Sequence, residues 1–587
     1  MNPRIILLAL ACACWRLDCA WADTTSAADW LPVTTAIYIE MAPAHRLVEL
    51  PLAEQLMASE LFQEIWRSPD AMKLRGGMTL AEIALGEKVP VVIRQLTARG
   101  AALAVDADSK GVAVLAHAQD AETCERLFKK LIQVAQNDAQ RRGDDKRVKR
   151  STYRDLDAFE VNKAIVVAID DWLLVSNSSE LSKKIIDNYR EPTDDSLSSV
   201  SSFVAMRNSS RQGSAGTKLF WSWADVARLR TAGGKNFFKR PQDNFAAELL
   251  IGGLLATARE ASTATAWITC QSNELQLELA TPKSTAVKLP EYEFFFGADG
   301  KGQSPSVLPI DGSILSVSAH RDIAELWRRA GDLFGQRTND QLAQADATLT
   351  TLFSGRDFGE EILGAIEPGV QLIVAEQEFD ATQGPTPQIK LPAFALITTL
   401  RKPEEMQPQF KRIFTSLVGF INITGAMNQQ PQLDIETVRE EGATFVHATY
   451  AVDIDRPKDW KVPIQFNFSP TLAMFADHAV LASTSAVARR TVDQLRIAST
   501  QPVRANGDLP ARPNTRVMID GQLATAALAL NREQLLSQNM IEKGHTREEA
   551  EKEIDTLLRL LKLVESLEIK FEVGDSALLT ATLRVKS

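Results

Sequence analysis

The order of apolar and polar positions along the chain predicts short strands grouped side by side, with single amphipathic helices between the groups. Apolar runs bounded by turn residues predict neighbouring strands at 89–96, 101–105 and 112–117. Apolar residues then recur at helical spacing over 120–135. Neighbouring strands favour antiparallel sheets, so we predict an α+β fold class in which helices cover mainly antiparallel sheets.

The same succession of elements occurs twice along the sequence. The matching segments are, in order, 36–39 with 313–317, 120–135 with 403–417, 171–190 with 477–496, and the closing hairpins 264–280 with 567–585. This order predicts two similar lobes from an internal duplication, at 23–282 and 307–587. A glycine-rich linker is expected between them at 283–306. In the second lobe, an acidic amphipathic helix over 542–566 is expected to pack against the last hairpin and to keep its charged face in solvent.

The first 22 residues have the pattern of a signal peptide. Arg4 provides the positive n-region, residues 5–15 form an apolar run, and Ala20 and Ala22 provide the small residues of a cleavage site. We therefore expect cleavage after Ala22 and an extracytoplasmic location, periplasmic or secreted. The alternative is lipidation at Cys12, which follows an imperfect lipoprotein motif.

Charge and hydropathy exclude some classes of partner. The formal charge is −10 over 587 residues, and this acidic balance argues against binding to nucleic acid. After the leader, no long uninterrupted apolar run indicates a transmembrane segment. Cys124 and Cys270 are the two cysteines left after cleavage. Cys124 is interpreted as a core residue because Met406 has its place in the second lobe, and a disulfide between Cys124 and Cys270 stays open.

Motifs for metals and phosphates are weak in this sequence. The segment 106–111 begins like a calcium loop, but Lys110 replaces an oxygen ligand, so a hairpin turn is the better interpretation. The glycine-rich segment 297–302 is not followed by the Gly-Lys-Ser/Thr of a phosphate loop and lacks its strand-to-helix context, so it is interpreted as part of the linker. The histidines are scattered, although His447 and His478 could meet if their strands pair.

Motifs for catalysis are also weak. No G-x-S-x-G elbow occurs in the sequence. The acidic doublets at 170–171, 360–361 and 440–441 are interpreted as solvated turns. Trp221 and Trp223 lie on one face of a predicted strand, where core packing is favoured over a sugar-binding platform. The sequence therefore assigns no catalytic, cofactor-binding or metal-ligating residue.

The leader, the opening Leu31–Pro32 strand, the strand Trp172–Ser176 with its serine-rich helix cap, and the repeated lobes together resemble a family of large exported bacterial proteins. That family is common in planctomycete-like genomes and is classed only as a domain of unknown function. The resemblance implies export and an α+β fold, and it implies no activity.

Our leading hypothesis is an exported, non-catalytic protein, a binding or structural component of the cell envelope, with a small ligand in an inter-lobe cleft as one option. The alternative is an exported hydrolase with dispersed catalytic residues. A lipid carrier is a third option, which would need an apolar tunnel. A pocket with converging polar groups and a strongly shifted pKa would favour the enzyme, and apolar patches would favour the binding or structural protein.

Overall fold

In a computed structural model of the protein, the structure describes residues 26–586, except for 49, 60–61, 64–65, 145–146, 212–215, 234–242, 283–284, 354, 380–385, 429, 452–461 and 501–511. The predicted signal peptide and Cys12 lie outside the described residues. The chain forms two compact units. The first is built from residues up to Lys239 together with Ala261–Pro282, and the second from Arg240–Glu260 together with Lys283–Lys586.

The first unit contains one antiparallel sheet. Its strands are β1 (Thr35–Met41), β2 (Gly100–Asp106), β3 (Val112–His117), β4 (Val148–Tyr153), β5 (Leu156–Val161), β6 (Ala164–Ile169), β7 (Trp172–Ser176), β8 (Thr217–Asp225), β9 (Thr263–Gln271) and β10 (Glu274–Pro282). They pair in the order β4-β5-β6-β7-β3-β2-β1-β8-β9-β10. The described α-helices of this unit are Ala44–Val48, Pro51–Ala58, Pro69–Leu85, Val89–Leu96, Ala121–Arg141, Ser179–Arg190, Ser201–Arg211 and Val226–Gly233.

The second unit also contains an antiparallel sheet. Its strands are β11 (Ser313–His320), β12 (Ile366–Ala375), β13 (Ala393–Leu400), β14 (Leu433–Glu440), β15 (Ala443–Tyr450), β16 (Thr471–Phe475), β17 (His478–Ala482), β18 (Thr515–Asp520), β19 (Val564–Val573) and β20 (Ser576–Val585). They pair in the order β14-β15-β16-β17-β13-β12-β11-β18-β19-β20.

The helices of the second unit include two π-helical segments, Glu248–Gly252 and Phe358–Ile362. The described α-helices are Phe245–Ala247, Gly253–Glu260, Glu293–Phe296, Ile323–Arg328, Ala330–Leu333, Gln336–Leu352, Pro403–Met427, Ser485–Thr500, Gly521–Leu530, Arg532–Lys543 and Arg547–Leu563. Both units are therefore mixtures of helices with antiparallel sheet, which confirms the predicted fold class at this level.

Helix-on-sheet packing forms the core in each unit. In the first unit, Cys124, Leu127 and Phe128 of the helix Ala121–Arg141 pack in one buried cluster with Leu173 of β7. In the second unit, Val487 and Val492 of the helix Ser485–Thr500 pack in a cluster with residues of β13, β15, β16 and β17. Burial of these apolar faces is the main favourable contribution to folding of both units.

The segment 240–260 belongs to the second unit because a buried arginine holds it there. Arg321 is 3% exposed and donates to the carbonyl oxygens of Leu249 at 2.6 Å and Leu250 at 3.1 Å. Its guanidinium carbon lies 3.5 Å from the centre of the Phe295 ring. Gly253 also packs on Phe295, since a Cβ at Gly253 would lie 2.3 Å from Cδ1 of that ring.

Three sequence predictions about elements are corrected. Residues 89–96, expected as a strand, form the helix Val89–Leu96, with Pro90 in its first turn and Val92 and Leu96 buried on one face. The acidic helix expected at 542–566 is interrupted by the turn before Thr546. Its helical part, Arg547–Leu563, packs mainly on the helices Gly521–Leu530 and Arg532–Lys543 rather than on the last hairpin.

The expected linker at 283–306 is instead a packed part of the second unit. From residue 285 onward it contains short helical turns, and Phe294, Phe295 and Phe296 are completely buried. Gly297 has φ +71°, and a Cβ there would lie 2.8 Å from Cα of Gly302. The glycines therefore permit a tight loop against the core, and they do not indicate a flexible connection.

Candidate functional site

Three polar residues of the first unit meet where β3 ends and β7 begins. Nε2 of His117 lies 3.0 Å from Oδ2 of Asp171, and Nη1 of Arg99 donates to the same oxygen at 2.7 Å. The His117 ring stacks on Trp172 with a centroid separation of 4.0 Å. The doublet 170–171 is a turn, as predicted, but the carboxylate of Asp171 is bonded rather than only solvated.

A histidine paired with an aspartate can act as a general base, but the His117 ring is too buried for a substrate to reach it. His117 is 3% exposed, and burial lowers the pKa of its imidazole despite the hydrogen bond that the Asp171 carboxylate accepts from the ring. A general base must reach the proton of a bound substrate. The stacked, buried ring therefore contributes to packing, not to proton transfer.

Cys124 lies on the buried face of its helix, as predicted. It is completely buried, and burial raises the pKa of its thiol to about 12, with the Asp171 carboxylate as the next cause. A thiol with so high a pKa is a poor nucleophile. Met406 is the fourth residue of its own helix, as Cys124 is of the helix Ala121–Arg141, and it is 2% exposed. Cys124 and Cys270 are both free thiols, so no disulfide joins them.

His447 and His478 do not meet. They lie on β15 and β17, and β16 runs between these strands. Nε2 of His447 lies 3.2 Å from Glu436, and Nδ1 of His478 lies 2.7 Å from Asp477. Over the part of the chain that the structure describes, no group of three His, Cys, Asp or Glu residues is arranged to hold a metal ion.

The calcium-like segment 106–111 is the turn between β2 and β3, as predicted. The Asp106 carboxylate accepts hydrogen bonds from Thr34 Oγ1 at 2.5 Å, Ser109 N at 2.9 Å and Ser109 Oγ at 2.6 Å. Burial alone would raise the pKa of Asp106, but the hydrogen bonds from Ser109 and Thr34 outweigh it and lower the pKa. The Asp106 oxygens therefore accept hydrogen bonds within the protein, as expected for a structural turn.

Trp221 and Trp223 are core residues, as predicted. They are 4% and 1% exposed, and both rings pack edge-on against Phe203 of the helix Ser201–Arg211. Neither ring is available as a platform for a sugar.

A cleft in the second unit is the best candidate for a functional site. Its volume is about 560 Å³. Its lining comes from four places in the sequence: the loop after β12, the end of β15, the segment 466–469 before β16, and the first turn of the helix Ser485–Thr500. The lining residues include Glu376, Gln377, Glu378, Tyr450, Phe466, Phe468, Ser469, Ser485, Ala486 and Arg490.

Two carboxylates lie at this cleft without an ion-pair partner. Glu376 and Glu378 follow β12 directly, and both are exposed. Among the described residues, no cationic side chain lies within salt-bridge distance of either one. Oε1 of Gln377, between them, is buried without a donor in the described chain, while its Nε2 donates to Asn467 O at 3.2 Å. This wall of the cleft is therefore rich in hydrogen-bond acceptors.

Most hydrogen-bond donors at the cleft already donate to acceptors within the protein. Arg490 donates through Nη1 to Asp311 O and through Nη2 to Glu376 O, both at 3.0 Å. At the helix N-terminus, Ser485 N donates to Ser469 Oγ at 3.2 Å and Val487 N to Thr484 Oγ1 at 3.3 Å. The helix end is thus capped by its own chain.

Aromatic rings also line the cleft. The rings of Tyr450 and Phe466 lie 5.4 Å apart, and Phe468 also lines the cleft. Burial raises the pKa of the Tyr450 hydroxyl, so this group stays protonated at neutral pH. The cleft therefore combines an apolar face with an acidic face, which is typical of a ligand-binding pocket.

The length of one loop distinguishes this cleft from the equivalent place in the first unit. There, β2 and β3 are joined by the short turn 107–111, and a Cβ at Gly111 would lie 2.7 Å from Cβ of Ser178, the N-cap of the helix Ser179–Arg190. In the second unit, residues 376–392 join β12 to β13. The short turn packs on the helix N-terminus, whereas the first residues of the longer connection, Glu376, Gln377 and Glu378, line the cleft.

A second groove, of about 620 Å³, lies in the first unit between the helix Ala121–Arg141 and strands β5 and β6. Its floor is apolar and includes Phe128, Ile132 and Phe159. Two of its charged residues are already paired, Glu125 with Lys129 at 2.8 Å and Asp157 with Arg150 at 2.8 Å. Its charges are thus less available to a ligand than those of the cleft.

An exposed apolar stripe lies on the second half of the helix Pro403–Met427. Phe420 is 59% exposed, Ile423 66% and Met427 81%. These side chains recur at helical spacing and form one face. No residue of this stripe was singled out from the sequence, because its apolar residues fit a buried helix equally well.

The cleft residues were also missed from the sequence. The run Glu376-Gln377-Glu378 after a buried strand was a usable signal, because three acceptors follow one another at a strand end. Their partners in the cleft lie more than 70 residues later along the chain, as at Tyr450 and Ser485.

Comparisons with known proteins leave the chain without a family. No family model matches it, and no curated protein matches it. Among solved structures, crystal forms I, IV and III of a protein named TP0453 are similar to parts of it, each with a TM-score of 0.24. Their identities are 11%, 12% and 11%, over 45%, 45% and 44% of this chain and 81%, 83% and 81% of theirs. A similarity at this level assigns neither fold nor function.

Proposed function

We propose that the protein is an exported, non-catalytic binding protein of the cell envelope and that the cleft of the second unit is its binding site. The observation that carries this proposal is the lining of the cleft, which brings together three aromatic rings and two carboxylates that have no ion-pair partner among the described residues. The side chains with the most strongly moved pKa values, such as Cys124 and His320, lie outside it. Enzymes usually place such groups in the active site.

Export is the part of the proposal that rests on the sequence alone. Arg4, the apolar run and the Ala20–Ala22 site support a signal peptide cleaved after Ala22, and lipidation at Cys12 is the alternative. Among the described helices, none combines the length and the apolar content that crossing a membrane requires.

We also propose that the two units descend from a duplicated gene. The matching strand order supports this, since each strand of the first unit has its counterpart ten strands later. Local details agree as well. Asp225 and Asp520 each end a strand and accept hydrogen bonds from the first turn of the next helix. On this proposal, the cleft is a feature that the second copy gained through its longer loop.

Hydrolysis is the second candidate function. Two carboxylates at a cleft are the arrangement that glycoside hydrolases use. Glu376 and Glu378 are two carboxylates that line one cleft. The experiment below separates the two candidates.

The test fills the cleft and compares binding with turnover. Ala486 is exposed and lines the cleft, whereas Ala498 is exposed at the other end of the same helix. The chain 23–587 and its variants Ala486→Trp and Ala498→Trp are screened by ligand-observed NMR against amines, amino acids, sugars and carboxylic acids. They are also assayed on ester, amide and glycoside substrates.

We expect wild type and Ala498→Trp to bind a common set of compounds, and Ala486→Trp to bind them at least about tenfold more weakly, because the indole occupies the cleft. Turnover by the wild type that Ala486→Trp abolishes would overturn the non-catalytic assignment. Binding that Ala486→Trp leaves unchanged would place the binding site elsewhere.

A further inference from the structure

We infer that the ligand of the cleft is an organic cation, an ammonium or guanidinium group attached to an apolar body. This inference rests on the binding function proposed above and specifies its ligand. Four features of the cleft lead to it: the unpaired acceptors, the committed donors, the aromatic wall and the volume.

The acceptors call for a positively charged donor. Glu376 and Glu378 bring two negative charges to one wall. The ammonium of the nearby Lys390 lies over the Phe379 ring, 5.7 Å from its centre, and not on either carboxylate. Hydrogen bonds between an ammonium or guanidinium and a carboxylate are about twice as strong as neutral ones.

The committed donors make an anionic ligand a poor fit. Arg490 is held by two backbone carbonyls, and the first-turn amides of Ser485 and Val487 are held by side-chain hydroxyls. An anion would have to displace these bonds and would lie beside two carboxylates of like charge. Such a juxtaposition is unfavourable.

The aromatic wall suits the same cation. A cation within about 6 Å of an aromatic centroid is attracted by the ring's quadrupole. Tyr450 and Phe466 present two such rings, and Phe468 adds a third at the cleft wall. The rings also provide apolar area for the body that carries the charge.

The volume separates an organic cation from a bare metal ion. A cleft of about 560 Å³ lies within the usual range for small-molecule sites, about 300–1,000 Å³. A metal ion would leave most of this space and the aromatic wall unused. The charged group can belong to a free amine or to a lysine side chain of a peptide, and both sources share the recognised chemistry.

The experiment titrates the chain 23–587 with matched probes by isothermal calorimetry. The cationic probes are 2-phenylethylammonium, for a free amine, and N-acetyl-lysine amide, for a peptide side chain. The neutral and anionic comparisons are 2-phenylethanol and 3-phenylpropanoate. We expect at least one cationic probe to bind at least about tenfold more tightly than the other two, and its affinity to fall with added salt. The preferred cationic probe identifies the source.

The variants test which residues recognise the charge. The double variant Glu376→Gln with Glu378→Gln should weaken the cationic probe about tenfold or more. The control, Glu572→Gln with Asp575→Asn, removes two exposed carboxylates of the same unit that do not line the cleft, and should stay within about twofold. Tyr450→Phe should retain binding within about threefold, while Tyr450→Ala should lose more than that.

The contrary results separate the cationic ligand from the binding function. Preferential binding of 3-phenylpropanoate or 2-phenylethanol that Ala486→Trp abolishes would overturn the cationic ligand and leave the binding function standing. No binding of either cationic probe at millimolar concentration would also overturn the cationic ligand. Turnover abolished by Ala486→Trp would overturn the binding function itself.

Discussion

At the scale of single residues, the second unit buries a cation, Arg321, that has no carboxylate partner among the described residues. Arg321 satisfies its donors with neutral acceptors, which are Leu249 O, Leu250 O, His320 O, Asn514 Oδ1 and Thr515 Oγ1. A buried charge is tolerated only when its hydrogen bonds are satisfied. Burial and this positive charge both lower the pKa of the neighbouring His320.

His320 gives a pH-dependent stability that can be measured. Burial, followed by the charge of Arg321, lowers the pKa of His320 from its ordinary value of 6.5 to about 4. The unfolded chain therefore binds a proton more readily than the folded one below pH 6.5, so stability falls as the pH falls from about 6.5 towards 4. We expect His320 to contribute a loss of about 2 kcal/mol between pH 7.5 and pH 5.0.

The measurement is urea unfolding of wild type and His320→Gln at both pH values. The wild type should lose about 2 kcal/mol more than the variant over this range. Equal pH dependence in wild type and His320→Gln would contradict the assignment.

At the scale of elements, one turn decides whether the helix N-terminus in each unit is covered. Gly111 lets the β2–β3 turn lie directly on Ser178 and Leu181. In the second unit, Glu376 and Glu378 at the start of the longer β12–β13 connection line the cleft together with the first turn of the helix Ser485–Thr500. Loops tolerate changes of length and often carry the binding residues of a rigid scaffold.

Substitution of Gly111 tests this close approach. A Cβ at Gly111 would lie 2.7 Å from Ser178 Cβ and 3.0 Å from Leu181 Cδ2, so Gly111→Ala should destabilise the protein by about 1–3 kcal/mol. Gly76→Ala is the control. It lies inside the helix Pro69–Leu85 with nothing within 4 Å, and should gain up to about 1 kcal/mol. Urea unfolding measures the stability of both variants. An unchanged free energy of unfolding for Gly111→Ala would show that the turn can move away from Ser178.

Much of the fold could be predicted from local patterns. The two closing hairpins, the helix carrying Cys124 and the strand from Trp172 have periodicities that burial on one face imposes. The segment 89–96 could not be predicted, since a short run of valine and isoleucine fits a buried strand as well as a helix. The glycines of 297–302 were taken for a linker because composition does not reveal which loop packs against His320.

The candidate site could not be predicted from the sequence for a different reason. Its residues come from strand ends and loops, and they meet only after β12, β15 and the helix Ser485–Thr500 are placed in one unit. Periodicity describes the faces of elements, not which loop ends converge. Cys124 could be assigned to the core from sequence because its helix face and its counterpart Met406 are both local signals.

At the scale of the whole molecule, the two units are interleaved along the chain. The segment Arg240–Glu260 belongs to the second unit, yet β9 and β10 of the first unit follow it. A cut between residues 282 and 283 therefore does not yield two complete units. The second unit would lose the packing of Gly253 on the Phe295 ring. It would also lose two carbonyl oxygens that accept hydrogen bonds from Arg321.

A fragment experiment tests this dependence. We expect residues 283–587 alone to be unstable, and a synthetic peptide of residues 243–260 to stabilise them saturably, by about 2.7 kcal/mol at about 100 times its Kd. Thermal denaturation followed by circular dichroism measures the effect. The control peptide carries Gly253→Ala, whose Cβ would lie 2.3 Å from the Phe295 ring. Equal stability with and without the peptide would contradict the interleaving.

The interleaving also separates the order of synthesis from the order of folding. A ribosome completes residues 240–260 before it has made any other part of the unit to which they belong, and it completes β9 and β10 only afterwards. The nascent chain must therefore carry Leu249, Leu254 and their neighbours as an orphaned apolar segment until Phe295 and Arg321 emerge.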